Sequence, residues 1–202
     1  MGQITVSHVS KMFRTARKTT IALNETDLTI KDKETVCIVG PSGCGKTTLL
    51  NLIAGFISPT SGAIEVDGRR VTGPSAQRAV VFQSDAVFPW LTVRQNVAFG
   101  PKVQGKRPGS GERVDRFLDL VGLQDFAAAF PKELSGGMRK RVDLARAYAS
   151  GPDVLLLDEP FGALDLFTKE AMWLALKQIA AAEPKTVVFV THDIEEALFL
   201  GD

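Results

Sequence analysis

The chain has 202 residues, 45% of them hydrophobic, with 24 basic and 23 acidic side chains. That length carries one α/β core with room for a small appended subdomain, and the apolar content excludes disorder. The near balance of charge excludes a global field for nucleic acid. No apolar run approaches the ~18 residues that span a bilayer.

The N-terminus, Met1-Gly2-Gln3-Ile4, lacks the apolar centre of a secretory signal, so a soluble, cytosolic chain is expected. Apolar residues alternate from Gln3 to Val9 and from Ile21 to Ile30, with Lys11-Met12-Phe13-Arg14 and a basic, threonine-rich turn between them. Two antiparallel strands beside a main sheet fit this pattern. Phe13 has two readings, stacking on a base or joining the core.

Val36 to Val39 then reads as an apolar strand. It enters the turn Gly40-Pro41-Ser42-Gly43-Cys44-Gly45-Lys46-Thr47-Thr48, from which a helix leaves with Leu49, Leu50, Leu52 and Ile53 on one face. This is the order in which backbone N–H groups become free to surround an anion. Gly40 and Gly45 allow backbone angles closed to other residues, Lys46 adds a point charge, and the Thr47 hydroxyl suits magnesium. The two cysteines, Cys37 and Cys44, are neither a disulfide framework nor a metal set. Cys44, in the turn, has two readings, a thiol that reacts with alkylating reagents and is protected by a bound nucleotide, or a small residue that merely fits the turn. Gly55 followed by Pro59 ends the helix.

Ser61 to Gly68 reads as a short strand bounded by turns, and Arg78 to Gln83 as a buried strand ending in an amide. Open α/β sheets hold ligands at the carboxyl ends of their strands, so Gln83 could reach a metal or an attacking water. From Ser84 to Gly100 the chain is apolar without alternation. The aromatics Phe88, Trp90 and Phe99 around Pro89 fit either a docking surface or the core of a helical subdomain. Gln104 to Gly111 reads as a basic loop, and Val114, Phe117, Leu118 and Val121 as one face of an amphipathic helix.

Leu134-Ser135-Gly136-Gly137-Met138 opens another helix. Serine followed by glycines at a helix start suits either an anion or a plain cap. Val154-Leu155-Leu156-Leu157 is a continuous apolar strand, as in parallel sheets buried on both faces, and it ends in Asp158-Glu159-Pro160. Asp158 suits magnesium and Glu159 suits a general base that positions water. Asp165 precedes a further helix, and Thr186 to Val190 is a last buried strand ending at Thr191-His192-Asp193, where His192 could sense a terminal phosphate.

Together GPSGCGKT, Gln83, LSGGM, LLLDEP, ALD and THD, in that order, resemble the ATP-hydrolysing subunit of an ABC transporter. The resemblance implies an α/β fold: a P-loop NTPase parallel core with an antiparallel β subdomain and a helical subdomain over about 84–150, all in one nucleotide-binding domain, 1–202. It implies ATP and Mg2+ as cofactors, with Gly40 to Thr48 on the phosphates, Phe13 on adenine, and Thr47, Gln83 and Asp158 at the metal. Glu159 becomes the catalytic base, His192 the γ-phosphate switch, and Lys46 a further catalytic charge. Asp165 becomes a dimer contact, and Ser135, Gly136 and Gly137 touch ATP held by the opposing copy of a head-to-tail dimer.

More narrowly, GPSAQRAVVFQ, FPWLTVRQNVAFG and DEPFGALD resemble the importer branch serving nitrate, aliphatic sulfonates and taurine. That branch implies transmembrane permease subunits docked near Phe88 to Phe99, a solute-binding protein acting indirectly, and a place on the cytoplasmic face of the membrane. Two positions depart from it. Lys140 stands where the branch usually has glutamine, and Asp143 where it has a small residue, which bears on helix packing and ATP contact. Because relatives continue past the position of Asp202, the fold is expected to be truncated at its C-terminus. Two other readings compete: a soluble ABC-type ATPase, which predicts tandem cassettes or a basic face, and a non-catalytic module, which predicts ATP binding without hydrolysis.

Overall fold

The computed structural model describes residues 2–15, 18–84, 86–105 and 110–202. Its strands are β1 (Ile4–Arg14), β2 (Thr19–Ile30), β3 (Thr35–Val39), β4 (Ser61–Val66), β5 (Arg69–Arg70), β6 (Arg78–Val81), β7 (Val154–Asp158) and β8 (Thr186–Thr191). Its α-helices are α1 (Lys46–Ala54), α2 (Val93–Val103), α3 (Ser110–Leu120), α4 (Gly136–Ala149), α5 (Leu166–Ala182) and α6 (Ile194–Leu200).

An antiparallel sheet has the order β2-β1-β4-β5, and a parallel sheet the order β3-β8-β7-β6. The apolar run before Asp158 explains why β7 lies inside the parallel sheet: Val154, Leu155, Leu156 and Leu157 are all fully buried. Alternate side chains leave opposite faces of the pleat. Leu155 and Leu157 therefore pack with Phe117, Leu144, Tyr148 and Phe161 among the helices. Val154 and Leu156 pack with Leu50 and Ile53 of α1 and with Ile4, Val6 and Ile64 of the antiparallel sheet.

The β1–β2 hairpin is longer than its sequence pattern. Lys11 to Arg14, expected to lie between the strands, continue β1 and pair with β2 as far as Arg14 opposite Thr19. Register shifts between Val6 and Val9, between Val9 and Lys11 and between Lys11 and Met12 explain the discrepancy. Each irregularity breaks the period-2 alternation on which the strand signal rests. The tip of the basic turn, at 16 and 17, lies outside the described residues, as do 85 and 106–109 of the expected aromatic segment and basic loop.

Helix α1 ends as expected, at Gly55 with φ 82°, its N–H donating to the Asn51 and Leu52 carbonyls. In α3, Val114, Phe117 and Leu118 are buried, as is Val121 just beyond its end. The buried Asn96 of α2 accepts from the Phe88 N–H at 2.7 Å and donates to the Phe88, Leu91 and Thr92 carbonyls at 3.1, 3.0 and 3.0 Å. One side chain thus ties down the aromatic loop.

Among the described residues, no helix is long and apolar enough to cross a membrane.

Candidate functional site

The carboxyl ends of β3, β6 and β7 open into a cleft of about 520 Å³. It is lined by the turn before α1, by Gln83 after β6, and by Asp158 and Glu159 at the end of β7. Helix α1 presents its N-terminus here. Its N-cap, Gly45, has φ 101° and offers no side-chain acceptor, so the N–H groups of the first turn face the cleft without a side-chain cap. A Cβ on Gly45 would stand 2.5 Å from the Ala22 carbonyl of β2, so only glycine lets the antiparallel sheet abut the turn. Gly40 corrects the sequence expectation. The left-handed residues of the turn are Gly43 and Gly45, whereas Gly40 is confined by the Cys44 Sγ, 2.9 Å from where its Cβ would lie.

Lys46 is buried. Its Nζ donates to the Gly40 and Pro41 carbonyls at 2.7 and 3.0 Å and lies 3.8 Å from Glu159 Oε1. The Thr47 hydroxyl donates to Asp158 Oδ1 at 3.0 Å. Burial raises the Asp158 pKa above its ordinary 3.8 and the Thr47 hydrogen bond opposes the rise, while Glu159 adds to it and Lys46 offsets it.

Glu159 is a non-glycine residue in the left-handed region, φ 44°, with its N–H donating to the Val190 carbonyl of β8 at 2.9 Å. This backbone turns the carboxylate back over the sheet end, where Oε2 lies 3.0 Å from His192 Nδ1. Gln83 stands across Gly162 from it: a Cβ there would be 3.3 Å from Gln83 Nε2 and 3.8 Å from Glu159 Oε2. Strain of this kind persists where the surroundings over-determine it, and it concentrates at working sites.

The residues on either side of His192 are anchored. Asp193 caps α6 by accepting from the Glu195 and Glu196 N–H groups, and Lys169 Nζ donates to its other oxygen at 2.9 Å. The buried Glu196 accepts from the Thr191 hydroxyl and from Trp173 Nε1. Lys169 and Asp193 draw opposite charges together, which holds the Asp193 carboxyl below its ordinary range.

The remaining predicted residues lie elsewhere. Ser135 caps α4, its Oγ accepting from Met138 N at 3.2 Å. Asp165 caps α5, accepting from Thr168 N at 3.1 Å and Thr168 Oγ1 at 2.7 Å. These two caps meet: a Cβ on Gly137 would stand 2.5 Å from Thr168 Cγ2. The serine-glycine turn and Asp165 therefore form a second, exposed group that does not line the cleft. Phe13 is also outside the lining; it pairs with Thr20, which does line it, and Lys11 Nζ sits 5.0 Å from its ring centre. Sequence reasoning missed Thr20, Ile21 and Ala22 as cleft residues. No local motif marks them; the approach of β2 to Gly45 brings them there.

A family model described as ABC transporter matches residues 23–162. The chain belongs to the ABC transporter family. It is similar to the taurine import ATP-binding protein TauB of Jannaschia sp. (strain CCS1), 51% identical over 182 residues that cover 90% of this chain and 68% of the relative. It is similar also to the nitrate import ATP-binding protein NrtD of Synechocystis sp. (strain ATCC 27184 / PCC 6803 / Kazusa), at 51% identity, covering 97% of this chain and 74% of that one. Among solved structures, the dimeric post-hydrolysis state of the ATP-binding cassette MJ0796 bound to ADP and Pi superposes with a TM-score of 0.82 at 34% identity, covering 97% of this chain and 90% of that one.

As an ABC ATPase the chain works on ATP with Mg2+, and its donor set fits that metal. A threonine hydroxyl, a carboxylate and an amide are the hard oxygen donors magnesium takes, and the partly buried Asp158 carboxylate is one that a cation would stabilise. Bound Mg2+ would polarise the phosphoryl oxygens.

Proposed function

We propose that this ABC ATPase powers the import of a small anion such as taurine, an aliphatic sulfonate or nitrate. In this reading residues 1–202 form one nucleotide-binding domain, with 84–150 as its helical part. Two copies associate head to tail with two ATP molecules between them. The observation that carries the reading is the separation of the site into two groups: Lys46, Thr47, Gln83, Asp158 and Glu159 lining the cleft, with His192 against Glu159, and the Ser135 to Gly137 cap with Asp165 outside it. A second copy would supply that exposed cap to the first copy's nucleotide. The dimeric form of the structural relative supports this arrangement.

Within one cleft, the turn from Gly40 to Thr48 holds the phosphates, with Lys46 as a fixed positive charge. Thr47, Gln83 and Asp158 hold the metal. Phe13 stacks on the adenine. The Glu159 carboxylate accepts a proton from the attacking water as its oxygen bonds to the γ-phosphorus and the bond to ADP breaks. His192, at 3.0 Å, orients that carboxylate.

The permease docks on the aromatic surface after Gln83. Trp90 is 70% exposed, Phe88 packs against Phe99 at 4.5 Å between ring centres, and both Phe88 and Phe99 line an apolar groove. A hydrophobic patch of this kind suits a helix from a partner. The chain then lies on the cytoplasmic face of the membrane, with the solute-binding protein acting through the permease. The names of the similar import proteins support the choice of solute class.

The test is reconstitution with the cognate permease and receptor in vesicles loaded with ATP. ATP-dependent uptake of labelled taurine or nitrate is expected, with loss of uptake in Glu159→Gln and of permease association in Trp90→Ala. Association unchanged in Trp90→Ala, or uptake of neither solute class, would overturn the reading.

A further inference from the structure

Lys140, Asp143 and Arg146 follow one another at i, i+3 and i+6 on helix α4. Lys140 is only 2% exposed, yet its ammonium is not stranded. Its Nζ donates to the Phe82 carbonyl at 2.9 Å and to the Gln83 carbonyl at 3.1 Å. Arg146 Nη2 donates to Asp143 Oδ1 at 2.6 Å, Nη1 donates to the Ala86 carbonyl at 2.5 Å, and its guanidinium lies 5.1 Å from the Phe88 ring centre. Phe82 and Gln83 on one side, and Ala86 and Phe88 on the other, are therefore held by one helix. One end bears the cleft residue Gln83, and the other bears the aromatic surface.

We propose that Lys140 is a positioning residue for Gln83, fixing the backbone from which the Gln83 amide reaches the metal side of the cleft. Burying an ammonium is costly unless it is hydrogen-bonded, and here the compensating partners include the Phe82 and Gln83 carbonyls. Charge-assisted bonds to two successive carbonyls set both position and orientation of the peptide between them. Supporting groups of this kind decide how closely a metal-binding side chain keeps its geometry.

The inference rests on the reading of Gln83 as a metal residue, and its test separates the two. Mg2+ titrations of ATP hydrolysis are compared for the wild type, Gln83→Ala and Lys140→Met, beside retention of a fluorescent ATP analogue in EDTA. Lys140→Met is expected to raise the half-activating Mg2+ concentration about tenfold, the scale of one lost charge-assisted hydrogen bond. Metal-free nucleotide retention stays at the wild-type level, and Lys140→Arg, which keeps the charge and the donors, recovers most of the Mg2+ response. If Gln83→Ala shifts the titration and Lys140→Met does not, the positioning role is overturned. If Gln83→Ala itself leaves the titration unchanged, the metal assignment of Gln83 fails and the inference with it. Should Lys140→Met lack a cooperative melt, Lys140→Gln takes its place. A Mg2+ shift smaller than tenfold is then expected, and no shift overturns the proposal.

Discussion

The Nδ1 atom of His192 lies 3.0 Å from Oε2 of Glu159, although 33 positions separate the two in the chain. The contact exists because β7 and β8 are neighbours in register, with Asp158 opposite Val190, so the residues just past each strand end meet above the sheet. Between Lys46 and His192, the Glu159 carboxylate is held to one place.

Glu159→Gln keeps the shape and the contact with His192 but removes the basic oxygen. Hydrolysis should fall by about 10²–10⁴-fold, the usual contribution of a positioned general base, while ATP retention survives. Single-turnover hydrolysis of labelled ATP beside filter-bound nucleotide separates the two effects, and turnover near the wild-type rate would remove Glu159 from the mechanism.

Lys46→Ala removes a buried ammonium that also bridges the Gly40 and Pro41 carbonyls. Loss of a charged hydrogen bond of about 1.5–3 kcal/mol should weaken ATP binding by roughly 10- to 100-fold. Equilibrium titration with a fluorescent analogue reads this directly.

Asp158 is a carboxylate whose pKa burial raises. A group with a raised folded-state pKa contributes stability that is full below its ordinary value of 3.8 and is lost as pH rises through the folded value. At neutral pH the ionised group is thus a cost to the folded chain. Asp158→Asn should melt no lower than the wild type in EDTA at pH 7, yet show no stabilisation by Mg2+ beyond that given by ATP alone. Calorimetry with and without the metal tests both halves.

Gly137→Ala should drive a methyl group into Thr168, 2.5 Å from its Cγ2, at a cost of about 1–3 kcal/mol for overpacking. Nucleotide binding in the distant cleft should be unaffected, whereas hydrolysis that depends on association should fall. Adding Thr168→Ser removes Cγ2 but keeps the hydroxyl that Asp165 accepts from, so the double variant should recover. Melting temperature and the concentration dependence of turnover are the measurements.

The sequence alone determined whatever consecutive residues encode. The turn from Gly40 to Thr48 was legible as a strand-turn-helix because the strand, the glycines, the lysine and the helix start follow one another, and the local backbone they prescribe leaves the α1 N-terminus without a side-chain cap at the cleft. The run Val154 to Glu159 was legible because four apolar residues in succession have the look of a strand buried on both faces, and all four are buried in β7. Tertiary structure decided what depends on strand order and close approach. The continuation of β1 through Lys11 to Arg14 was hidden by bulges that cancel alternation. The cleft wall of Thr20, Ile21 and Ala22 exists only because Gly45 admits the Ala22 carbonyl. The grip of Lys140 on the Gln83 carbonyl spans 57 positions. A local pattern sets the conformation of its own segment, whereas such contacts arise from how the sheet order β3-β8-β7-β6 and the helices over it are packed, which no stretch of sequence states by itself.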